Sequence, residues 1–182
     1  MKTKFIFISG APNTGKSTTL KELYKFLKNT KKFKETKSKI IANDEGMFIL
    51  EGYNNKGKSI KILINYPSDT EAIIDYVYEF YNENKPFDIV ITSIRDMYSE
   101  RHCLLEKFNV GEDYIELPLA KVTRKYDKEI ALNNYYERIL NLLKNILHFA
   151  IHSVIICTVN YKVWYFCAFL PIFRKKCPGE VA

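Results

Sequence analysis

The sequence is poor in the residues that break regular structure, with 7 Gly and 6 Pro in 182 positions. That scarcity excludes collagen-like repeats and flexible linker compositions. Cysteine is also sparse: Cys103, Cys157, Cys167 and Cys177 form no C-x-x-C pair, and three of them fall in the last quarter. This reads as reduced thiols in a cytosolic protein rather than a disulfide framework. A long apolar run is missing near the start, where the stretch after Met1-Lys2-Thr3-Lys4 spans only Phe5 to Ile8. It is too short for the apolar region of a signal peptide, so a cytoplasmic rather than a secreted protein is expected. Internal repeats and low-complexity tracts are absent as well.

What is present is an ordinary globular balance, 47% hydrophobic and 27% charged. That much apolar mass excludes intrinsic disorder, and the length suits one domain with a short appendage. The net charge is +7, and a basic surface favours polyanionic partners: nucleotides, nucleic acid or an acidic membrane. Charge does not choose among these.

Hydrophobic periodicity gives the elements. Phe5-Ile6-Phe7-Ile8 is apolar without alternation, as in a strand buried on both faces of a parallel sheet. Leu20, Leu23, Tyr24 and Leu27 then recur at helical spacing through Asn29. Lys28–Lys39, with six lysines and one glutamate, reads as a connection carrying no core, followed by a short strand, Ile40-Ile41-Ala42. Met47 to Tyr53 and Ser59 to Asn65 flank Asn54-Asn55-Lys56-Gly57, whose Asn and Gly supply the positive φ of a hairpin turn. Ser68 and Glu71 have capping-box spacing and open a helix to about Asn84, with Ile73, Ile74, Val77 and Phe80 on one face. A central strand around Ile89-Val90-Ile91, a helix near Ser99 to Phe108, a strand near Tyr114 to Leu117 and a long helix from Lys128 to about Phe149 complete the series. Ile130, Ile139, Leu142, Leu143, Ile146 and Leu147 form the last helix's stripe. Alternating strands and helices imply an α/β fold with a parallel or mostly parallel sheet.

The expected organisation is a domain over residues 1–150 and a different, apolar extension over 151–182. The extension holds four basic residues and one acid, and Lys162 is the only formally charged residue from Ile146 to Phe173. Three readings stand for it. Val163 to Phe173 followed by Arg174-Lys175-Lys176 resembles a membrane anchor with its cytoplasmic flank. Lys162 divides the stretch into uncharged runs of 16 and 11 residues, however, and a spanning helix needs about 20. The alternatives are an element packed on the domain, or an extension that adds little.

Gly10-Ala11-Pro12-Asn13-Thr14-Gly15-Lys16-Ser17 matches G-x-x-x-x-G-K-[ST], with an apolar strand before it and an amphipathic helix after it. Glycines at both ends let the backbone turn tightly and approach an anion. The loop then aims its N–H groups, and the helix its positive end, at phosphate oxygens. Lys16 would reach the β- and γ-phosphates, Ser17 would hold Mg²⁺, and Thr18 would bond the α-phosphate. With this motif the chain resembles the P-loop nucleoside triphosphatases and, more loosely, their small nucleotide and metabolite kinases. The resemblance is specific over about residues 5–27. It implies a three-layer fold with a mostly parallel central sheet, to which this chain adds a β-hairpin insertion and the apolar tail. The cofactors it implies are ATP or another nucleoside triphosphate, and Mg²⁺.

Such proteins commonly hold Mg²⁺ with an Asp at the end of a strand neighbouring the first. Asp69 is the first candidate and Asp44 the second. Asp96 lies just past the Ile89 strand, and each could reach the loop if its strand borders the first one. The alternatives are a helix cap for Asp69 and turn residues for the others. Arg95, after a strand expected to be central, is the candidate to neutralise a transferring phosphoryl group. Arg101, Arg124 and Lys125 are further candidates for that role, though they read more readily as surface cations. Lys28–Lys39, with Phe33 as its sole aromatic, gives weak support for nucleic acid. His148 and His152 have the i, i+4 spacing of metal ligands near Cys157, but no H-E-x-x-H motif accompanies them. The 13 tyrosines carry no assigned role. The resulting expectation is phosphoryl transfer to water, as an ATPase, or to a small acceptor, as a kinase, with Lys16 and Arg95 stabilising charge. A non-catalytic nucleotide-dependent module binding protein, nucleic acid or membrane is the alternative. No Asn/Thr-Lys-x-Asp guanine signature occurs.

Overall fold

In the computed structural model, which describes residues 2–42, 45–120 and 128–152, the apolar run at the start is β1 (Lys4–Ser9), with Ile6, Phe7 and Ile8 fully buried. Each such side chain contributes about 2–3 kcal/mol by leaving water, which commits this segment to the centre of a sheet. The chain continues through α1 (Lys16–Asn29), β2 (Phe33–Ala42), β3 (Glu45–Tyr53), β4 (Ser59–Asn65) and α2 (Glu71–Asn84). It ends with β5 (Ile89–Ile94), α3 (Tyr98–Lys107), β6 (Tyr114–Pro118) and α4 (Lys128–His152). The fold is α/β. Six strands form one mixed sheet in the order β2-β3-β4-β5-β1-β6, parallel from β4 to β6 and antiparallel where β2, β3 and β4 pair.

Helices cover both faces. Leu20, Leu23 and Leu27 of α1 and Leu143, Leu147 and Ile151 of α4 pack on the face carrying Ile6 and Ile8. Ile74, Val77 and Phe80 of α2 and Leu104 of α3 pack on the face carrying Phe5 and Phe7. Leu142, expected in the α4 stripe, is 45% exposed, because α4 turns 143, 147 and 151 inward instead. No helix among the described residues is long and apolar enough to cross a membrane. The expected extension, from residue 153 onward, lies outside the described residues.

Three further expectations need correction. The lysine-rich stretch is not a bare connection: from Phe33 it becomes the edge strand β2, paired antiparallel with β3, and Phe33 is buried. Lysines suit an edge strand because they deter further pairing, and two of them also lie over rings of α2. Lys37 Nζ is 5.5 Å from the Phe80 centroid and Lys39 Nζ 3.7 Å from that of Tyr76. Ser68 does not cap α2. Thr70 does, accepting a hydrogen bond from Ile73 N at 3.3 Å, while the Ser68 hydroxyl is buried against Ser93. In the β3–β4 turn the positive φ belongs to Gly57 and not to an asparagine. Asn54 works through its side chain, accepting from Lys56 N and Lys58 N at 2.9 Å each.

Candidate phosphate-binding site

Parallel pairing brings the ends of three strands level. Ser9 of β1 lies opposite Ile94 of β5 on one side and Pro118 of β6 on the other. The residues that follow, Gly10, Arg95 and Leu119, therefore emerge side by side at the carboxyl edge of the sheet. The chain leaves β1 through α1 for the edge strand β2 on one side, whereas β5 connects through α3 to β6 across β1, so the connections run in opposite directions here. Open α/β sheets bind ligands at such a reversal.

The loop between β1 and α1 is shaped by its glycines. Gly10 has φ +146°, and a Cβ there would sit 2.6 Å from Leu119 O and 2.9 Å from Thr14 Oγ1. Gly15 has φ +90° and serves as the N-cap of α1, and a Cβ there would run into the Tyr136 ring. Between them Asn13 also takes positive φ, which Asn tolerates better than most residues. Thr14 Oγ1 donates to Ala11 O at 2.9 Å. Lys16, 7% exposed, folds back so that Nζ donates to Gly10 O at 2.8 Å and Ala11 O at 2.9 Å.

The start of α1 has neither a side-chain cap hydrogen bond nor an acidic residue in its first turn. The first N–H groups of a helix lack intrahelical partners and carry partial positive charge. Here no carboxylate of α1 offsets that charge. Ser17 and Thr18 lie on this first turn, half-buried and exposed respectively.

Charged side chains gather around Lys16. Burial pushes its pKa below the ordinary lysine value, Asp69 and Asp96 oppose that shift, and Arg95 adds to it. Arg95 Nε donates to Asp69 Oδ1 at 2.9 Å. β4 does not border β1, because β5 lies between them, so Asp69 is not at the end of a neighbouring strand. It reaches the site through a bend fastened over the end of β5. Asn65 Nδ2 donates to Pro67 O at 2.7 Å, Ser93 Oγ donates to Tyr66 O at 2.5 Å, and the Ser68 and Ser93 hydroxyls are 2.8 Å apart. Asp96 is the carboxylate that directly follows the bordering strand. Asp44 lies outside the described residues.

The remaining candidates do not join this cluster. Arg101 makes a two-pronged pair with Glu116 of β6, whose carboxyl is held below the usual range by that guanidinium. Arg124, Lys125 and Cys157 lie outside the described residues, His148 is exposed on α4, and His152 ends it. No group of three His, Cys, Asp or Glu side chains poised for a metal occurs among the described residues. A cleft of about 280 Å³, lined in part by Tyr78, Tyr81, Phe108, Lys85 and Lys107, opens at the other end of β1. These lysines sit at the ends of α2 and α3, where cations complement helix dipoles.

Two contacts at the loop have no counterpart in the sequence pattern. Leu119 N donates to Ser9 O at 2.7 Å, and Tyr136 Oη donates to Thr14 O at 2.9 Å. Tyr136 stands 122 residues from Thr14, so no local spacing signals the contact. Comparison with protein-family models and with curated proteins finds no match for this chain.

Proposed function

We propose that this protein binds a nucleoside triphosphate with Mg²⁺ at the Gly10–Thr18 loop and transfers the terminal phosphoryl group to water or a small acceptor. In this reading the fold is a three-layer P-loop arrangement with the β3–β4 hairpin as an insertion. The observation that carries it is the loop itself. Two positive-φ glycines bracket a turn that delivers Lys16 and an uncapped, acid-free helix start to one point at the carboxyl edge of the sheet. That arrangement is complementary to a chain of anionic oxygens.

The roles follow from position. Gly10, Ala11, Asn13, Thr14 and Gly15 form the backbone cradle, in which Pro12 has no N–H to give. Lys16 would exchange its two carbonyl partners for phosphate oxygens. Ser17 and Asp69 would hold Mg²⁺, with Asp44 the second candidate acid. Arg95 would leave Asp69 to neutralise charge on the phosphoryl group in flight. Positioning and charge neutralisation supply most of the catalysis in such transfers. ATP is the nucleotide of first choice by default, and the sequence carries no guanine signature that would favour GTP.

A transfer assay with γ-labelled ATP, with Lys16→Ala as control, tests the reading. Free labelled phosphate would identify an ATPase, and a labelled small acceptor a kinase. Tight binding with neither would mark a non-catalytic nucleotide-dependent module for a protein, nucleic-acid or membrane partner. Equal signal from both proteins would refute the assignment of Lys16.

A further inference from the structure

The peptide joining Thr14 to Gly15 is trans, as are all described peptide bonds except Lys85–Pro86. In a trans peptide the C=O and N–H lie in one plane and point in opposite directions. Whatever fixes the Thr14 carbonyl therefore also aims the Gly15 N–H. The carbonyl is fixed by Tyr136 of α4, whose hydroxyl donates to it at 2.9 Å. The same ring closes the space where a Gly15 side chain would stand, so the peptide is held by contact as well as by a hydrogen bond. A hydrogen bond accepted by a carbonyl also polarises its amide and strengthens the N–H as a donor.

We infer that Tyr136 is a positioning residue of the phosphate loop, aiming the Gly15 N–H at the bound anion by holding the Thr14 carbonyl from behind. The inference rests on the phosphate-binding reading of the loop. It makes α4 part of the site: the helix reaches the loop from the face opposite the anion and touches no substrate itself. The phenol is suited to the task because burial raises its pKa above the ordinary tyrosine value, keeping the donor proton in place. Neighbouring Tyr135 makes a different bond, accepting from Ala120 N at 2.8 Å. It docks α4 without touching the Thr14 carbonyl and supplies a matched control.

The test measures inorganic tripolyphosphate binding by the full chain as wild type, Tyr136→Phe and Tyr135→Phe, and follows the Gly15 amide proton by NMR. Tyr136→Phe keeps the ring and loses only the hydroxyl. One neutral hydrogen bond removed predicts binding about three- to ten-fold weaker, with a smaller downfield shift of the Gly15 amide on saturation. Tyr135→Phe should keep both wild-type values. Wild-type affinity in Tyr136→Phe would overturn the inference, as would equal losses in the two variants, which would mean general docking of α4. If Tyr136→Phe also lowers the unfolding midpoint, the Gly15 shift at saturation decides, and a wild-type shift overturns the proposal. Failure of the wild type to bind tripolyphosphate would instead refute the phosphate-loop reading, and the role of Tyr136 with it.

Discussion

Arg95 Nε lies 2.9 Å from Asp69 Oδ1, tying together the segments that follow two adjacent parallel strands, β5 and β4. Half of the Asp69 side chain is exposed. A pair this open to water contributes at most about 1 kcal/mol to stability. Its interest is functional: the same carboxylate and guanidinium are the candidates for holding Mg²⁺ and for clamping phosphate.

Asp69→Asn should therefore leave the urea midpoint nearly unchanged and abolish the gain in triphosphate affinity that Mg²⁺ gives. Arg95→Gln should keep that gain and slow phosphoryl transfer. A wild-type Mg²⁺ response in Asp69→Asn would move the metal role to another acid, Asp44 or Asp96, the latter following the strand that borders β1.

Gly15 restricts residue type in two ways. An added methyl meets the Tyr136 ring, and φ +90° is unfavourable for any L side chain. Gly15→Ala is expected to cost about 1–3 kcal/mol, read as a lower urea midpoint, and to weaken triphosphate binding. Unchanged stability would mean that α4 does not press on the loop.

Glu116 gives a pH test whose sign is fixed. The Arg101 guanidinium holds its carboxyl below the ordinary value of 4.5. The stabilisation is thus complete above that value and fades as pH falls through the lower native one. The stability gap between wild type and Glu116→Gln should be constant above about pH 5 and close on acidification below it. Denaturant titrations across that range check this, and a gap that persists at low pH would show that the ion pair is not its source.

Much of this fold is legible in the sequence wherever one period dominates. Phe5–Ile8 and Ile89–Ile91 are continuous apolar runs and become β1 and β5; Leu20, Leu23 and Leu27 keep helical spacing and become the buried face of α1. β2 is legible only at its end, Ile40-Ile41-Ala42; its start at Phe33 is not, because there stability comes from pairing with β3 and from lysine ammonium groups held over α2 rings, which the segment's own composition does not express. The cap of α2 is misread because Ser68 and Thr70 both suit the role, and a buried contact with Ser93 takes Ser68 away. At the site, the spacing of Gly10, Gly15 and Lys16 is local and readable. Strand order is tertiary, and it decides that Asp96 follows the bordering strand while Asp69 arrives by a bend. Tyr136 is invisible for the same reason, being one tyrosine among 13 until α4 is laid against the loop.

Titration calorimetry of Mg²⁺–ATP into the wild-type protein and Lys16→Ala bears most directly on the central claim. Lys16 Nζ is expected to trade two carbonyl partners for charged oxygens, and charge-assisted bonds of this kind predict a loss of about ten- to a hundred-fold in affinity. Saturable binding by the wild type, weakened to that degree in the variant, is the result the account requires. No heat from the wild type, or equal affinity in the two proteins, would contradict it.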